Sequence, residues 1–483
     1  MNGRPHVRSS PVAPLSIMLI TAALAAYAEE PAPPVPPVGH AVQPTSKGQA
    51  LAGQRFFDMA LSGTNGRACA SCHPESEHTT LRPASVAARL AQNPGDPLFN
   101  AIDADDPGAS TLTYEHMKRG LIRITLPLPD NMDLLDSAGN VITPPDRTVS
   151  VWRGVPSVAN VSYTAPFQFD GREATLQELA LSALKTHSQL SHAMGPGKLD
   201  LIAAYASSIF SSNRAAQVAA QVAAGVPISS IQSPEDGMPL TAAQARGKAV
   251  FQTVCARCHG GATGNVIPDR AVLDSFFFEL DHNGNVVYEV TPDGPVPVVN
   301  TPPDNNFMAL GVTTLTYLGQ IGARQGLLTN EVEMPRIRLR FYTDGTRTTQ
   351  VTDLPPIPVT ASGDPFDLNP AIDPATGAPI TGPDFVPQWW STDPGRCLIS
   401  GSPRDFESFD IPQLRGVAHT APYFHDNSHS TLAQVINTYS RSILPNVPTL
   451  NMPAIHPPEA PGLPAEALSQ QQKADLLAFL AVY

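Results

Sequence analysis

Cys69–His73 reads CASCH and Cys255–His259 reads CARCH, so two Cys-x-x-Cys-His motifs consume four of the five cysteines in a chain of 483 residues. Few chemistries place thiols this way. A disulfide inside Cys-x-x-Cys closes too tight a loop to staple a fold, and it has no use for the histidine. Two thiol pairs are able to build a four-cysteine zinc site, but these lie 186 residues apart and each has its own imidazole. Covalent c-type haem attachment uses every residue of the motif: two thiols add across the haem vinyls and the adjacent histidine becomes the proximal iron ligand. The expectation is therefore two covalently bound c-type haems, one on Cys69, Cys72 and His73 and one on Cys255, Cys258 and His259. Cys397 is left over and reads as a buried structural thiol.

The flanks repeat as well. Gly53 and Phe57 precede the first motif at a spacing that Gly247 and Phe251 reproduce before the second. Thr241 and Gln244 form a capping box for a helix leading into the second motif. Further on, VPSVANVSYTAPFQFDGREATL (155–176) and IPQLRGVAHTAPYFHDNSHSTL (411–432) align at a constant offset of 256. The chain is thus a duplication whose second copy carries about 70 more residues between its Cys-x-x-Cys-His motif and its Thr-Ala-Pro segment. Each copy closes on a helix, 199–210 in the first and one capped by Ser469 in the second, with Leu476, Leu480 and Tyr483 on one face. The 51 prolines and only 15% charged residues favour short helices and much loop. Asn283-Gly284, Asp344-Gly345 and residues 136–142 mark hairpin turns, and residues 352–395 read as an irregular loop. The expected fold class is mainly α, two cytochrome c-like haem domains with β-hairpin and loop insertions. The expected boundaries are domain one at 45–212, a connector at 213–238, and domain two at 239–483 with its insertion at about 265–400.

Residues 1–28 read as a secretory signal peptide, with Arg4 and Arg8 before an apolar run at 15–25 and an Ala-Tyr-Ala cleavage site. A proline-rich tether at 29–44 follows. The expected location is periplasmic or secreted, with no membrane span after cleavage. A net charge of −13 argues against nucleic acid; it reads first as the ordinary acidity of many secreted proteins, and it also suits a small basic electron-transfer partner such as a cytochrome c or a cupredoxin.

The doubled Cys-x-x-Cys-His motif, Phe-Asp-Gly-Arg-Glu-Ala-Thr-Leu at 169–176 and Thr-Ala-Pro-Tyr-Phe-His-Asp at 420–426 together resemble the bacterial di-haem cytochrome c peroxidases. Their superfamily includes the MauG enzymes and the di-haem rubber oxygenases, and this chain reads as a divergent member. The resemblance covers both haem domains and not the insertions. It implies His73 and His259 as proximal ligands. It also implies a distal ligand for the second haem fourteen residues after His425, which here is Tyr439; Met334 and His429 are the alternatives. A phenolate donor favours ferric iron. The family's inter-haem Trp is here Phe169, its pocket Gln is Leu179, and its catalytic acid is Gln189. A glutamine hydrogen-bonds peroxide but shuttles no proton, so His187 is the substitute candidate, with a solvent-facing helix position as its other reading. The segment that blocks the first haem in many peroxidases, here 146–156, has no histidine; His78 lies too close to His73, and His116 stays open as a replacement. Backbone carbonyls of Thr420 and Pro422 correspond to a calcium site whose side-chain Asn is here Gly154.

The implied function is an exported di-haem oxidoreductase that reduces or activates H2O2 at the first haem, with electrons relayed by the second. An oxygenase using O2, or a protein- or polymer-oxidising enzyme, is the alternative favoured by Leu179, Phe169 and the insertions. A pure electron carrier is the other, with two six-coordinate haems. One calcium and a homodimer remain open.

Overall fold

The computed structural model describes residues 46–136, 138–267, 287–292, 294–298, 307–310, 334–351, 389–446, 452–457 and 465–483. The expected signal peptide and tether, the Asn283-Gly284 turn and most of the 352–395 loop lie outside the described residues.

The molecule is mainly helical with short strands. Its helices are α1 (Lys47–Asp58), α2 (Pro83–Gln92), α3 (Leu176–Thr186), α4 (Pro196–Ala206), α5 (Asn213–Ala223), α6 (Ala242–Thr253), α7 (Cys397–Ser400), α8 (Leu432–Thr438) and α9 (Gln470–Leu480). Two crossing pairs form the framework, α1 against α4 and α6 against α9. The glycines recognised by their spacing sit at the two crossings. A Cβ on Gly53 would lie 1.8 Å from the Leu201 carbonyl oxygen, and one on Gly247 would lie 1.9 Å from that of Asp475. Only a residue without a side chain permits helix backbones to approach this closely. One turn on, Phe57 packs edge-on against Tyr205 at 5.1 Å and Phe251 against Phe479 at 5.4 Å. Ser46, Thr241 and Ser469 each start their helix with a full capping box.

The 256-residue repeat is also a repeat of backbone. Phe167 bridges Glu173 as Tyr423 bridges His429. Gln168 and Phe424 both take positive φ, at 73° and 67°. Thr175 with Glu178 and Thr431 with Gln434 cap α3 and α8.

The insertions pair with each other. Strand β1 (Leu121–Pro127) and β3 (Thr148–Gly154) form an antiparallel pair in the first copy. Between them, β2 (Met132–Leu135) pairs with β7 (Ile337–Phe341), which pairs with β8 (Trp389–Ser391), so one sheet is shared by both copies. Leu339, Phe341 and Cys397 of the second copy accordingly share a core with Leu81, Leu98 and Met117 of the first. Cys397 is fully buried there. The turn at Asp344-Gly345 forms as expected, with Thr343 and Thr349 bonded across it. A hairpin of β4 (Tyr288–Thr291) and β5 (Gly294–Pro297) follows the Asn283-Gly284 turn in sequence. β6 (Phe307–Met308) pairs with β9 (Phe409–Asp410). The expected connector contains α5, a helix that buries Ala215, Val218, Ala219 and Val222 beside Tyr163. No helix among the described residues is long and apolar enough to cross a membrane.

Candidate functional site

Both Cys-x-x-Cys-His motifs open onto one cavity of about 800 Å³, within the size range of small-molecule and cofactor sites. Each motif folds as a tight turn, which begins two residues past the end of α6 in the second half and eleven residues past the end of α1 in the first. His73 N–H donates to the Cys69 carbonyl at 2.9 Å, and His259 N–H donates to that of Cys255 at 2.7 Å. The turn brings both thiols and the imidazole to the cavity wall. Burial pushes the thiols up, Cys69 and Cys255 to about 12 and Cys72 to about 11. Burial likewise holds His259 down at about 4, and lowers His73. Both imidazoles are therefore neutral at pH 7, the form that ligates metal.

The Nδ1 of His73 lies 2.9 Å from the Thr79 carbonyl, and that of His259 lies 2.9 Å from the Pro412 carbonyl. A carbonyl only accepts, so Nδ1 carries the proton and Nε2 keeps its lone pair for a ligand. Two thiols, a tautomer-fixed imidazole and an apolar wall fit a c-type haem in each half.

The distal sides differ. Tyr439 ends α8 where the helix widens into a π turn at Tyr439–Ile443. It lines the cavity with Cys255 and Cys258, and burial followed by those two thiols pushes its phenol up. The alternative ligands for this haem are engaged elsewhere. His429 has both ring nitrogens in hydrogen bonds, to Ser428 Oγ at 2.9 Å and Thr438 Oγ1 at 2.6 Å. Met334 packs with Leu121 and Trp152, outside the cavity wall. The 256-residue offset places Ala183 of α3 at the position of Tyr439, and Ala183 lines the first half of the same cavity. Sequence reading passed over this alanine; the constant offset already held the signal.

His187 follows α3 and also lines the first half of the cavity. Burial holds it down at about 4. Its carbonyl accepts from Arg67 at 3.2 Å, and Arg67 is itself buried against Asp103. Gln189 lies exposed at φ 52°, its side chain accepting from Asn65 Nδ2 at 3.2 Å, and is not part of the cavity wall. Leu179 and Phe169 are part of it. His116 is buried away from the cavity, stacked on Trp152 at 4.3 Å and bonded to Asp105 at 2.7 Å. His78 is exposed and stacks on His419 at 4.7 Å.

Between the halves, His425 stacks on Phe409 at 3.8 Å with Phe169 edge-on at 6.4 Å. Phe409 comes from the segment that returns the second insertion, so no local pattern marked it. Arg153 is buried between Asp170 of its own copy and Asp393 of the other. Thr420 and Pro422 line the cavity here. A Cβ on Gly154 would lie 2.3 Å from Asn427 Oδ1, so the amide of Asn427 fills the space a side chain at 154 would need. Among the described residues no group of three His, Cys, Asp or Glu side chains is arranged for a metal ion.

Residues 47–232 match a family model described as di-haem cytochrome c peroxidase. A stretch of 50 residues is 42% identical to cytochrome-c peroxidase IdrP2 of Denitromonas iodatirespirans, spanning 10% of this chain and 14% of that relative. Among solved structures, a MauG-like protein associated with microbial copper homeostasis is 17% identical, with 95% of each chain covered and a TM-score of 0.38. The diheme peroxidase BthA from Burkholderia thailandensis E264 is 16% identical over 91% of this chain and 86% of that one, with a TM-score of 0.34.

Proposed function

We propose, for a chain whose residues 47–232 match the model of the di-haem cytochrome c peroxidase family, that it is an exported di-haem oxidoreductase acting on hydrogen peroxide in its first half. The observation that carries this reading is the difference between the two distal positions, Ala183 in one copy and Tyr439 in the other. When bound, the haems would supply the redox chemistry of peroxide reduction. Cys69, Cys72 and His73 hold the first group, and Cys255, Cys258 and His259 the second. Tyr439, which lines the cavity with Cys255 and Cys258, would offer its phenolic oxygen to the second. Ala183 offers no donor, so the first site has room for a small oxidant.

His187 handles the proton. Its ring is neutral at pH 7, because burial holds it down at about 4. A neutral imidazole accepts a proton from peroxide and returns it to the departing oxygen, where a general acid–base group contributes about 10²–10⁴-fold. Leu179 and Phe169 keep the rest of the pocket dry and apolar. A small basic electron-transfer protein fits as the donor to an acidic chain. Calcium is not part of this reading.

Cyanide titration of the ferric holoprotein tests it. One of the two haems should bind cyanide in the wild type, and both in Tyr439→Phe, which removes the donor oxygen with little change of volume. No binding in the wild type, as expected of a pure electron carrier, or two sites in both proteins, overturns the proposal.

A further inference from the structure

The first half contains a phenol–carboxylate pair that its own duplication lacks. Tyr205 of α4 is 6% exposed, and its hydroxyl donates to Glu75 Oε1 at 2.7 Å. Glu75 lies two residues beyond His73, lines the cavity and reaches solvent. Phe57 stands between this phenol and the proximal imidazole, 5.1 Å from Tyr205 and 6.3 Å from His73, ring centre to ring centre. In the second half the residue at the same place on the crossing helix is Phe479, which has no hydroxyl. Tyr483 does pack on Phe251 there, at 4.9 Å, but the Arg415 guanidinium stands 5.4 Å from its ring.

We infer that Tyr205 is a redox relay residue, giving up one electron to the oxidised first site while Glu75 takes its phenolic proton. The inference rests on the peroxide reading above. Each peroxide consumed breaks one O–O bond and takes up two electrons and two protons to give two waters. Tyr205 supplies one electron, and the reductant feeding the protein supplies the other. The phenol O–H bond breaks, an O–H bond forms on Glu75, and a neutral phenoxyl remains until an external electron and the returning proton restore it.

The chemistry requires the carboxylate. A phenol oxidised without a proton acceptor becomes a cation, which a buried site disfavours strongly. The Tyr205 hydroxyl already donates to Glu75 at 2.7 Å, so the acceptor for its proton is in place when the electron leaves. Beside Tyr483 the carboxylate is already engaged, because Glu235 is locked in a buried ion pair with Arg415 at 2.9 Å. A purely structural tyrosine would need the hydrogen bond and nothing else, and the second copy packs the same crossing with a phenylalanine.

The test uses the full-length holoprotein in two arms, with freeze-quench electron paramagnetic resonance as the readout. In one arm H2O2 is the oxidant, and in the other a photogenerated ruthenium(III) tris-bipyridine. A tyrosyl signal should form in both arms, vanish in Tyr205→Phe and fall at least tenfold in Glu75→Gln. Tyr205→Phe should fold, because Phe479 already occupies the matching position, and its haem absorption confirms that. A tyrosyl signal of wild-type size in Tyr205→Phe, or no signal in the photo-oxidised wild type, overturns the relay. Peroxide consumed with no tyrosyl signal overturns the relay and leaves the peroxide reading standing. No reaction with peroxide sinks that reading, while the ruthenium arm still decides whether Tyr205 and Glu75 work as a pair.

Discussion

Gly53→Ala should separate the two helices that frame the first site. The added Cβ would meet the Leu201 carbonyl oxygen at 1.8 Å and the Tyr205 Cβ at 3.0 Å. Real Cβ contacts stay at 3.0 Å or more, so α1 and α4 have to move apart by about 1.2 Å. The obstructing atom is backbone on a packed helix and cannot swing aside. Gaps of 0.5–1 Å already forfeit roughly a quarter to a half of each dispersion contact along the seam. Overpacking of this kind costs about 1–3 kcal/mol, and the top of that range applies where backbone meets backbone. The better helix propensity of alanine returns about 1 kcal/mol. A net loss of about 2 kcal/mol remains, equivalent to about 4–8 °C in Tm for a unit of this size. Gly48→Ala on the same helix is the control, because its nearest neighbour would be Ser46 Oγ at 3.9 Å. It should be neutral or raise Tm by about 2–4 °C. Thermal unfolding of the holoproteins by circular dichroism measures both, and Soret absorption reports the first haem, whose imidazole lies 6.3 Å from Phe57. If the two variants melt within 1 °C of each other, a close crossing at Gly53 is not what the position demands.

Intact mass after acid–acetone extraction should exceed that of the mature chain by two haems, and Cys72→Ala with Cys69→Ala should remove one of them. His187→Ala should slow peroxide consumption by about 10²–10⁴-fold in stopped-flow mixing. Because burial holds His187 at about 4, the wild-type rate should be level from pH 5 to 8 and fall only as the pH approaches 4, whereas a fall centred near 6.5 would mean the ring is solvated. The same depressed value makes the group's contribution to stability complete above its unfolded value of 6.5 and lost as pH falls toward 4, since the unfolded chain then binds the extra proton. Arg153→Ala removes the cation paired with buried Asp393, while Asp170 keeps Arg172 at 2.8 Å, and should destabilise by about 3–5 kcal/mol in urea unfolding.

What could be read without coordinates was local or periodic. The two Cys-x-x-Cys-His turns, the helices capped by Thr241 and Ser469, the glycine–phenylalanine spacings and the 256-residue repeat are short-range patterns, because backbone bonding, capping and one helical turn act over a few residues. The offset even contained Ala183, the counterpart of Tyr439. What needed the tertiary structure was every relation between distant segments of the chain. Sequence gives no register for β2 on β7, because strands of unlinked insertions pair only when both copies are in place. No pattern separates His187, turned to the cavity, from Gln189 two residues on, because the end of α3 and a positive φ at Gln189 decide their directions. Burial decides contacts in the same way: His116 against Trp152 and Tyr205 against Glu75 are ordinary letters in the sequence. They acquire a chemistry only when residues roughly forty to a hundred and thirty positions away exclude water and supply the partner atom.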